Sequence, residues 1–145
     1  MDELKRKAHA VWEGSLARGQ GRISSESGVL EEEAYSFATR FENEPGTNPD
    51  ELLAAAHAAC FSMALAGDLV AAGYRPERVR TEATCTVTKV TDGFRITHML
   101  LSTRVQVSGI DADEFAEIAQ GAKDGCPVSQ ALTGIDTVEL DAELV

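Results

Sequence analysis

A long apolar stretch in the first half of the chain most limits how this sequence can fold. Residues 52–66 carry no charged side chain and are mostly alanine and leucine. The four residues before them, Asn48–Glu51, have the order of a helix start, with an N-cap amide, a proline in the first helical position and two carboxylates at the positive end of the dipole. The pattern predicts a helix over 51–66, extending at most to Ala72, with Gly73 as its stop. Because this helix is apolar on nearly all sides, we expect it to be buried, inside the monomer or at an interface.

Length and composition fit one soluble globular domain. The chain has 145 residues, about enough for one core, and its apolar stretch of 15 residues is short of the roughly 20 that span a bilayer. Its first residues are charged and no apolar run follows them, so we expect no secretory signal and a cytoplasmic location. The net charge of −11 repels polyanions, which excludes nucleic acid and an acidic membrane surface as expected partners.

Alternation and turn signals predict the other elements. Thr91–Gly93 favours a tight hairpin turn between two β-rich runs, and Asp111 suits the cap of a second helix. Bulky and small side chains alternate over 34–42 with the period of a half-buried strand. The predicted strands are Ala8–Trp12, Gly21–Ser25, Ala34–Glu42, Arg80–Val90, Phe94–Val107 and Thr137–Leu144, and the shorter helices are Ala112–Lys123 and Val128–Leu132. This order predicts a single α+β domain, residues 1–145, with antiparallel strand pairing.

The three cysteines are an odd number and do not form a disulfide framework. Cys126 precedes Pro127 at the mouth of a helix, where unpaired N–H groups and the dipole lower the pKa of a thiol. Cys60 lies about three turns inside the apolar helix, where burial raises the pKa, so that only a neighbouring cation would ionise it. Both could instead be small buried hydrophobic residues without chemistry, as free cysteines usually are, and this is our interpretation of Cys85 on the inward face of its strand.

Two further side chains could act on Cys60. His57 lies three residues earlier on the same helical face, where it could activate the thiol, serve as a core residue with one nitrogen bonded, or ligate a metal with Cys60 and Cys126. A structural zinc site needs a fourth ligand, and Cys-x2-Cys spacing is absent, so we expect no metal. Arg40, in the predicted strand over 34–42, is the cation most easily enclosed, or else a solvated edge residue.

Five segments of the sequence carry a resemblance to a known family. They are Glu26–Leu30, Thr39–Glu42, Gly46–Pro49, Ala55–Leu65 and Ala122–Ser129. Together they resemble the osmotically inducible protein C (OsmC) family, and they fit its OsmC branch better than the organic hydroperoxide resistance branch. The resemblance runs from about Ala8 to Leu140. The two cysteine motifs, in this order and at this separation, are its most specific part.

The resemblance implies an OsmC-like α+β fold with antiparallel sheets, a long buried central helix and an intertwined homodimer whose sites lie at the subunit interface. It implies a cytoplasmic thiol peroxidase that reduces organic hydroperoxides, and hydrogen peroxide more weakly. The motif around Cys60 matches the family's peroxidatic cysteine, and that around Cys126 its resolving cysteine, which turns the sulfenic acid into a disulfide. An external dithiol, for which the family suggests the lipoyl type, would reopen the disulfide, and no metal or prosthetic group is implied.

The family's arginine and its acidic partner also have counterparts. Arg40 falls on the arginine, and Asp50 on the acidic residue, which is normally a glutamate; the shorter side chain leaves Glu51 open as the partner. Asp50 and Cys60 are ten residues apart on one predicted helix, about 15 Å along its axis, so the carboxylate cannot touch its own Cys60. Unless Arg40 reaches its own Cys60 across a bend in the chain, we expect an obligate dimer in which each site combines residues of both chains. The alternative is a non-catalytic dimer that binds a small molecule in an apolar pocket, with inert cysteines.

Overall fold

The computed structural model describes residues 2–145, which form two compact units, the first ending at Leu52 and the second running from Leu53 to Val145. The elements are β1 (Ala8–Glu13), β2 (Gln20–Ser25), β3 (Glu33–Tyr35), α1 (Phe37–Phe41), α2 (Pro49–Ala71), β4 (Pro76–Val90), β5 (Gly93–Val107), α3 (Ala112–Gly125), α4 (Pro127–Ala131) and β6 (Thr137–Leu144). The α+β class is confirmed.

The first unit is built on an antiparallel sheet with β2 at its centre. β1 pairs with β2 along its whole length, and β3 pairs with the other edge of β2 over three residues. Gly21 of β2 lies opposite Tyr35, and a Cβ at this position would come within 2.3 Å of the tyrosine ring. That ring packs against Trp12 of β1 with 5.5 Å between the centroids. The glycine therefore leaves room for an aromatic pair on this sheet.

The strand predicted over 34–42 is wrong. β3 ends at Tyr35, and a short helix, α1, follows it. The cause is a capping box: the Thr39 backbone N–H donates to the Ser36 hydroxyl at 3.2 Å, and the Ser36 backbone N–H donates to the Thr39 hydroxyl at 2.9 Å. These two hydrogen bonds start a helical turn at a place where side-chain alternation alone favours a strand. Arg40 consequently lies in the last turn of α1.

Helix α2 begins and ends where the sequence predicts. The Glu51 backbone N–H donates to the Asn48 side-chain oxygen at 2.8 Å, which confirms the N-cap. At the other end Gly73 has φ +95°, and the backbone N–H groups of Gly73 and Tyr74 donate to the carbonyls of residues 70 and 69. This is the Schellman arrangement, in which a left-handed glycine closes the helix.

One row of α2 is fully buried, and the opposite side is exposed. The buried row is His57, Phe61, Leu65 and Leu69. On other sides, Met63 is 77% exposed and Val70 61% exposed within the single chain. The expectation of burial is therefore confirmed for one face only.

Helix α2 has 23 residues, and among residues 2–145 it alone is long and apolar enough to cross a membrane. The expectation that this apolar segment is too short to span a bilayer is therefore wrong. Length and composition alone do not separate a membrane span from the core helix of a soluble protein, and within this chain α2 buries one row of side chains.

The second unit packs α2 and α3 with a sheet in the order β4-β5-β6. β4 and β5 form the predicted antiparallel hairpin, with Gly93 at φ +130°. β6 pairs with β5 in parallel, unlike the antiparallel pairing expected throughout. The reason is the crossover: α3 and α4 carry the chain back to the end of the sheet where β5 started, so that β6 runs in the same direction. The core of this unit joins Leu101 and Val105 of β5 to Phe115 of α3.

Candidate functional site: a cysteine pair

Two cysteines that are 66 residues apart in the chain meet in the second unit. Cys60 comes from the middle of α2, and Cys126 separates α3 from α4. Cys126 has an extended backbone, donates its own N–H to the Ala122 carbonyl at the end of α3, and stands before Pro127, the first residue of α4. The two Sγ atoms lie 3.0 Å apart, close enough for one thiol to donate a hydrogen bond to the other. The turn between α3 and α4 thus places the Cys126 side chain against α2.

The surroundings of Cys126 lower its pKa although it is fully buried. Burial opposes ionisation, but hydrogen bonds to the sulfur outweigh it: from the Cys60 thiol, from the backbone N–H groups of Val128 and Ser129, and from the Ser129 hydroxyl. These N–H groups belong to the first turn of α4. The expectation of a lowered pKa at a helix mouth is therefore confirmed.

Cys60 is shifted in the opposite direction. Burial raises its pKa, and the Cys126 thiol raises it further, while the Val128 backbone N–H offsets only part of the effect. A proton shared between the two sulfurs thus resides more easily on Cys60. A nearby cation is the remaining way to ionise Cys60 first, as the sequence reasoning required.

His57 lies on the buried row of α2 and contacts α4. Its Nε2 is 2.7 Å from the Ser129 hydroxyl oxygen, and burial lowers the pKa of the imidazole. Its Nδ1 is buried and has no hydrogen-bond partner among residues 2–145. The histidine is thus tied by one nitrogen to Ser129, whose hydroxyl is among the groups that lower the pKa of Cys126. Sequence reasoning missed Ser129; the available signal was a hydroxyl three residues after Cys126, in the first turn of a helix.

In the first unit, Arg40 and Asp50 form a paired ionic contact. The arginine Nε donates to Asp50 Oδ2 at 2.9 Å, and its Nη2 donates to Oδ1 at 3.0 Å. Asp50 is 6% exposed, whereas the neighbouring Glu51 is exposed and its carboxylate accepts from the Thr47 hydroxyl at 2.9 Å. Between the two acidic candidates, Asp50 is therefore the one that holds the guanidinium, in the bidentate geometry that fixes its orientation.

The remaining candidates do not join the cysteine pair. Cys85 lies on the inward face of β4 and is half-buried, as expected. Among residues 2–145, no group of three or more histidine, cysteine, aspartate or glutamate side chains is placed to hold a metal ion. The suggestion of a metal site formed by His57, Cys60 and Cys126 thus gains no support from the geometry.

Comparison with known proteins gives a consistent result. Residues 41–141 match the profile of the "OsmC-like protein" family. Over 136 residues the chain is 52% identical to Peroxiredoxin OsmC of Escherichia coli K12, covering 94% of this chain and 95% of the relative. It is 34% identical over 131 residues to the organic hydroperoxide resistance protein OhrB of Bacillus subtilis, covering 86% and 92%. The crystal structure of that OhrB superposes with a TM-score of 0.67 at 27% identity, covering 96% and 98% of the two chains. The chain belongs to the OsmC family.

Proposed function

We propose that this protein is a thiol-dependent peroxidase that reduces organic hydroperoxides, with Cys60 as the attacking thiolate and Cys126 as the resolving thiol. The observation that carries the proposal is the 3.0 Å separation of the two sulfurs. A disulfide bond of about 2.05 Å needs an approach of only about 1 Å from this position. The names of the relatives, a peroxiredoxin and an organic hydroperoxide resistance protein, support the same reaction class.

The reaction balances with two thiols and an external reductant. The Cys60 thiolate attacks one oxygen of the hydroperoxide; the S–O bond forms, the O–O bond breaks, and the alkoxide takes up a proton and leaves as an alcohol. The Cys126 thiolate then attacks the sulfenic sulfur; the S–S bond forms, the S–O bond breaks, and hydroxide takes up a proton and leaves as water. An external dithiol reduces the disulfide and restores both thiols. This cycle uses no metal or prosthetic group.

Cys60 needs a cation, and we propose that Arg40 supplies it. A guanidinium beside Cys60 would hold the sulfur ionised and would stabilise the negative charge on the departing oxygen. Asp50 would orient that guanidinium through its two hydrogen bonds, and Glu51 would remain a first-turn carboxylate. Asp50 and Arg40 would thus act together, the aspartate as a positioning residue.

We further propose that the working form is a homodimer with composite, interfacial sites. Asp50 lies ten residues before Cys60 on the continuous helix α2, about 15 Å along its axis, and it holds Arg40 of its own chain. The pair would therefore serve the Cys60 of the second chain. The exposed apolar side chains on α2, Met63 and Val70, supply a surface that a second copy would cover.

We propose a small organic hydroperoxide as the preferred substrate, a dithiol of the lipoyl type as the reductant, and the cytoplasm as the location. The whole chain would function as one OsmC-like domain. The test compares consumption of tert-butyl hydroperoxide and hydrogen peroxide, with dithiothreitol or dihydrolipoamide as the reductant. We expect faster turnover of the organic peroxide and loss of turnover in Cys60→Ser, while the matched control Cys85→Ser keeps wild-type turnover.

Trapping the intermediate assigns the two roles. Cys126→Ser treated with one equivalent of peroxide should accumulate a sulfenic acid at Cys60, located by a dimedone label and mass spectrometry. A label at Cys126 in the Cys60→Ser variant would reverse the assignment. Three slowly reacting thiols, none of them consumed by peroxide, would support the non-catalytic alternative instead.

Mixing two inactive variants tests the composite site. If Arg40 acts on the second chain's Cys60, a mixed dimer of Cys60→Ser and Arg40→Ala protomers contains one intact site. Random re-association should then restore about one quarter of wild-type activity, because half the dimers are mixed and each has one of two sites. Mixtures that stay inactive after verified re-association would show that arginine and cysteine act within one chain.

A further inference from the structure

We propose that His57 is a positioning residue for the resolving step, acting through the Ser129 hydroxyl on the sulfur of Cys126. The structure brings these residues together in a line: His57 Nε2 lies 2.7 Å from Ser129 Oγ, and Ser129 stands in the first turn of α4, which starts directly after Cys126. The Ser129 hydroxyl is among the groups that lower the pKa of Cys126. All of them belong to the second unit. The inference rests on the proposed role of Cys126 as the resolving thiol.

The unpartnered nitrogen of His57 indicates where its proton lies. Burial keeps the imidazole neutral at neutral pH, so only one of its nitrogens carries a proton. Nδ1 is buried without a partner, and a buried N–H without an acceptor is rarer in proteins than a buried lone pair without a donor. The proton is therefore assigned to Nε2, which donates to Ser129 Oγ.

This tautomer makes the Ser129 hydroxyl oxygen the acceptor toward His57. Because its oxygen accepts from His57, its own hydrogen is free to point at Cys126 Sγ. A hydroxyl that donates to a sulfur stabilises the thiolate over the thiol. With the proton on Nδ1 instead, Ser129 would donate to His57 and offer Cys126 only a lone pair, which favours the thiol. The histidine thus selects which protonation state of Cys126 the serine supports.

The groups that act on Cys126 come from two elements packed around it. They are the Cys60 thiol from α2, and the Ser129 hydroxyl with the N–H groups of Val128 and Ser129 from α4. The S–H donor of Cys60 is gone in the resolving step, because Cys60 is then a sulfenic acid. The serine and the two N–H groups remain, so the His57–Ser129 pair acts at the moment when Cys126 attacks. The bond changes are those of the resolving step above, with no further oxidant or reductant.

The test uses Ser129→Ala, with Ser62→Ala as a matched control. Ser62 also bears a partly buried hydroxyl, which donates to the Thr81 hydroxyl at 2.8 Å, and it lies outside the His57–Ser129–Cys126 line. The loss of a hydrogen bond to a charged group shifts a pKa by about one to two units, so Ser129→Ala should raise the pKa of Cys126 by about that much. The pKa is read from thiolate absorbance in a Cys60→Ser, Cys85→Ser background.

The resolution rate gives a readout that a general loss of structure would not reproduce. At pH values below the pKa of Cys126, Ser129→Ala contains less Cys126 thiolate than wild type, but this thiolate is more nucleophilic, with a Brønsted coefficient of about 0.4–0.5. The two effects partly cancel, so disulfide formation in Ser129→Ala should slow about three- to fifteenfold. Well above the pKa, the same variant should resolve faster than wild type, because its thiolate is the more basic one. The two pH profiles should therefore cross. The rate is followed by rapid quenching and mass spectrometry after one equivalent of peroxide.

The histidine itself is tested by its conservative replacement. His57→Gln keeps an N–H donor at the end of the side chain and should retain the wild-type profile, whereas His57→Leu fills the space without a donor and should follow Ser129→Ala. Equal behaviour of the Gln and Leu variants overturns the role of His57, and a uniform slowing of Ser129→Ala at every pH overturns that of Ser129. If wild-type protein forms no disulfide between Cys60 and Cys126, the proposed function itself has failed; a disulfide that forms with identical profiles in all variants overturns only this inference.

Discussion

Replacing Asp50 by asparagine tests which carboxylate controls Arg40. The substitution removes the charge and turns one of the two acceptor oxygens into an N–H2 donor that faces the guanidinium, so one of the two hydrogen bonds of 2.9 and 3.0 Å is lost. A hydrogen bond to a charged group contributes about 1.5–3 kcal/mol. Because the arginine side chain is 34% exposed and can partly hydrate, we take the lower part of this range, about 1.5–2 kcal/mol.

The matched control is Glu51→Gln. This carboxylate is exposed, its bond to the Thr47 hydroxyl survives as an amide acceptor, and the loss of one charge near the helix start costs about 0.3–1 kcal/mol. For a chain of this length, 1 kcal/mol corresponds to about 2–4 °C in Tm, so Asp50→Asn should melt about 3–8 °C below wild type and Glu51→Gln less than about 4 °C below it.

Activity should follow the same order as stability. With its aspartate gone, the guanidinium loses its fixed orientation, and we expect peroxidase kcat/KM to fall at least tenfold in Asp50→Asn and less than threefold in Glu51→Gln. Asp50→Glu, which restores a carboxylate, should recover most of the activity. Thermal unfolding and steady-state peroxide consumption measure the two effects. If Glu51→Gln loses as much stability and activity as Asp50→Asn, the assignment of the arginine's partner to Asp50 is refuted.

Three further outcomes follow from the contacts. Gly21→Ala should destabilise the protein by about 1–3 kcal/mol in urea unfolding, because the new Cβ would lie 2.3 Å from the Tyr35 ring; an unchanged midpoint would contradict this packing. The Tyr74 hydroxyl donates to Glu114 at 2.6 Å, and this bond raises the pKa of Tyr74, so its contribution to stability should be full below the unfolded value of about 10 and be lost as pH rises through the folded value. Ultraviolet titration of a Tyr35→Phe variant isolates that tyrosine, and a titration at the ordinary pKa would argue against the bond. Burial lowers the pKa of His57, so the contribution of His57 to stability should be present above about pH 6.5 and be lost as the pH falls through the pKa of the folded state. The stability difference between wild type and His57→Gln should therefore shrink on acidification; a constant difference would show that the imidazole is not held neutral.

The parts of the fold that local chemistry decides were predictable from the sequence. The amide–proline–carboxylate order at Asn48–Glu51 starts α2, and Gly73 ends it, since each signal acts within one helical turn. The hairpin turn and the Asp111 cap of α3 were found for the same reason. Cys126 at the mouth of α4 also follows from its neighbour Pro127.

The features that were missed depend on choices between competing local patterns or on distant contacts. Residues 34–42 alternate like a strand, but the paired hydrogen bonds of Ser36 and Thr39 start a helix instead. The direction of β6 is set by the crossover through α3 and α4, which side-chain periodicity does not describe. Asp50 and Glu51 are equivalent first-turn carboxylates in the sequence, and only the position of Arg40 in space separates them.

The opposite pKa shifts of the two cysteines explain why one guanidinium would decide the order of the proposed reaction. Within the chain, hydrogen bonds from the Cys60 thiol and from the mouth of α4 outweigh burial and favour the thiolate of Cys126, whereas burial in α2 disfavours that of Cys60. Without a cation, Cys126 is ionised before Cys60, whereas the proposed attack needs the Cys60 thiolate. The proposed cation beside Cys60 would reverse the order, and Cys126 would then donate its proton toward the Cys60 thiolate across 3.0 Å. Once Cys60 is oxidised, its negative charge is gone, and the same α4 groups favour ionisation of Cys126. In the proposed reaction, a cation that acts on Cys60 alone would thus let the site ionise each sulfur in the step that needs it.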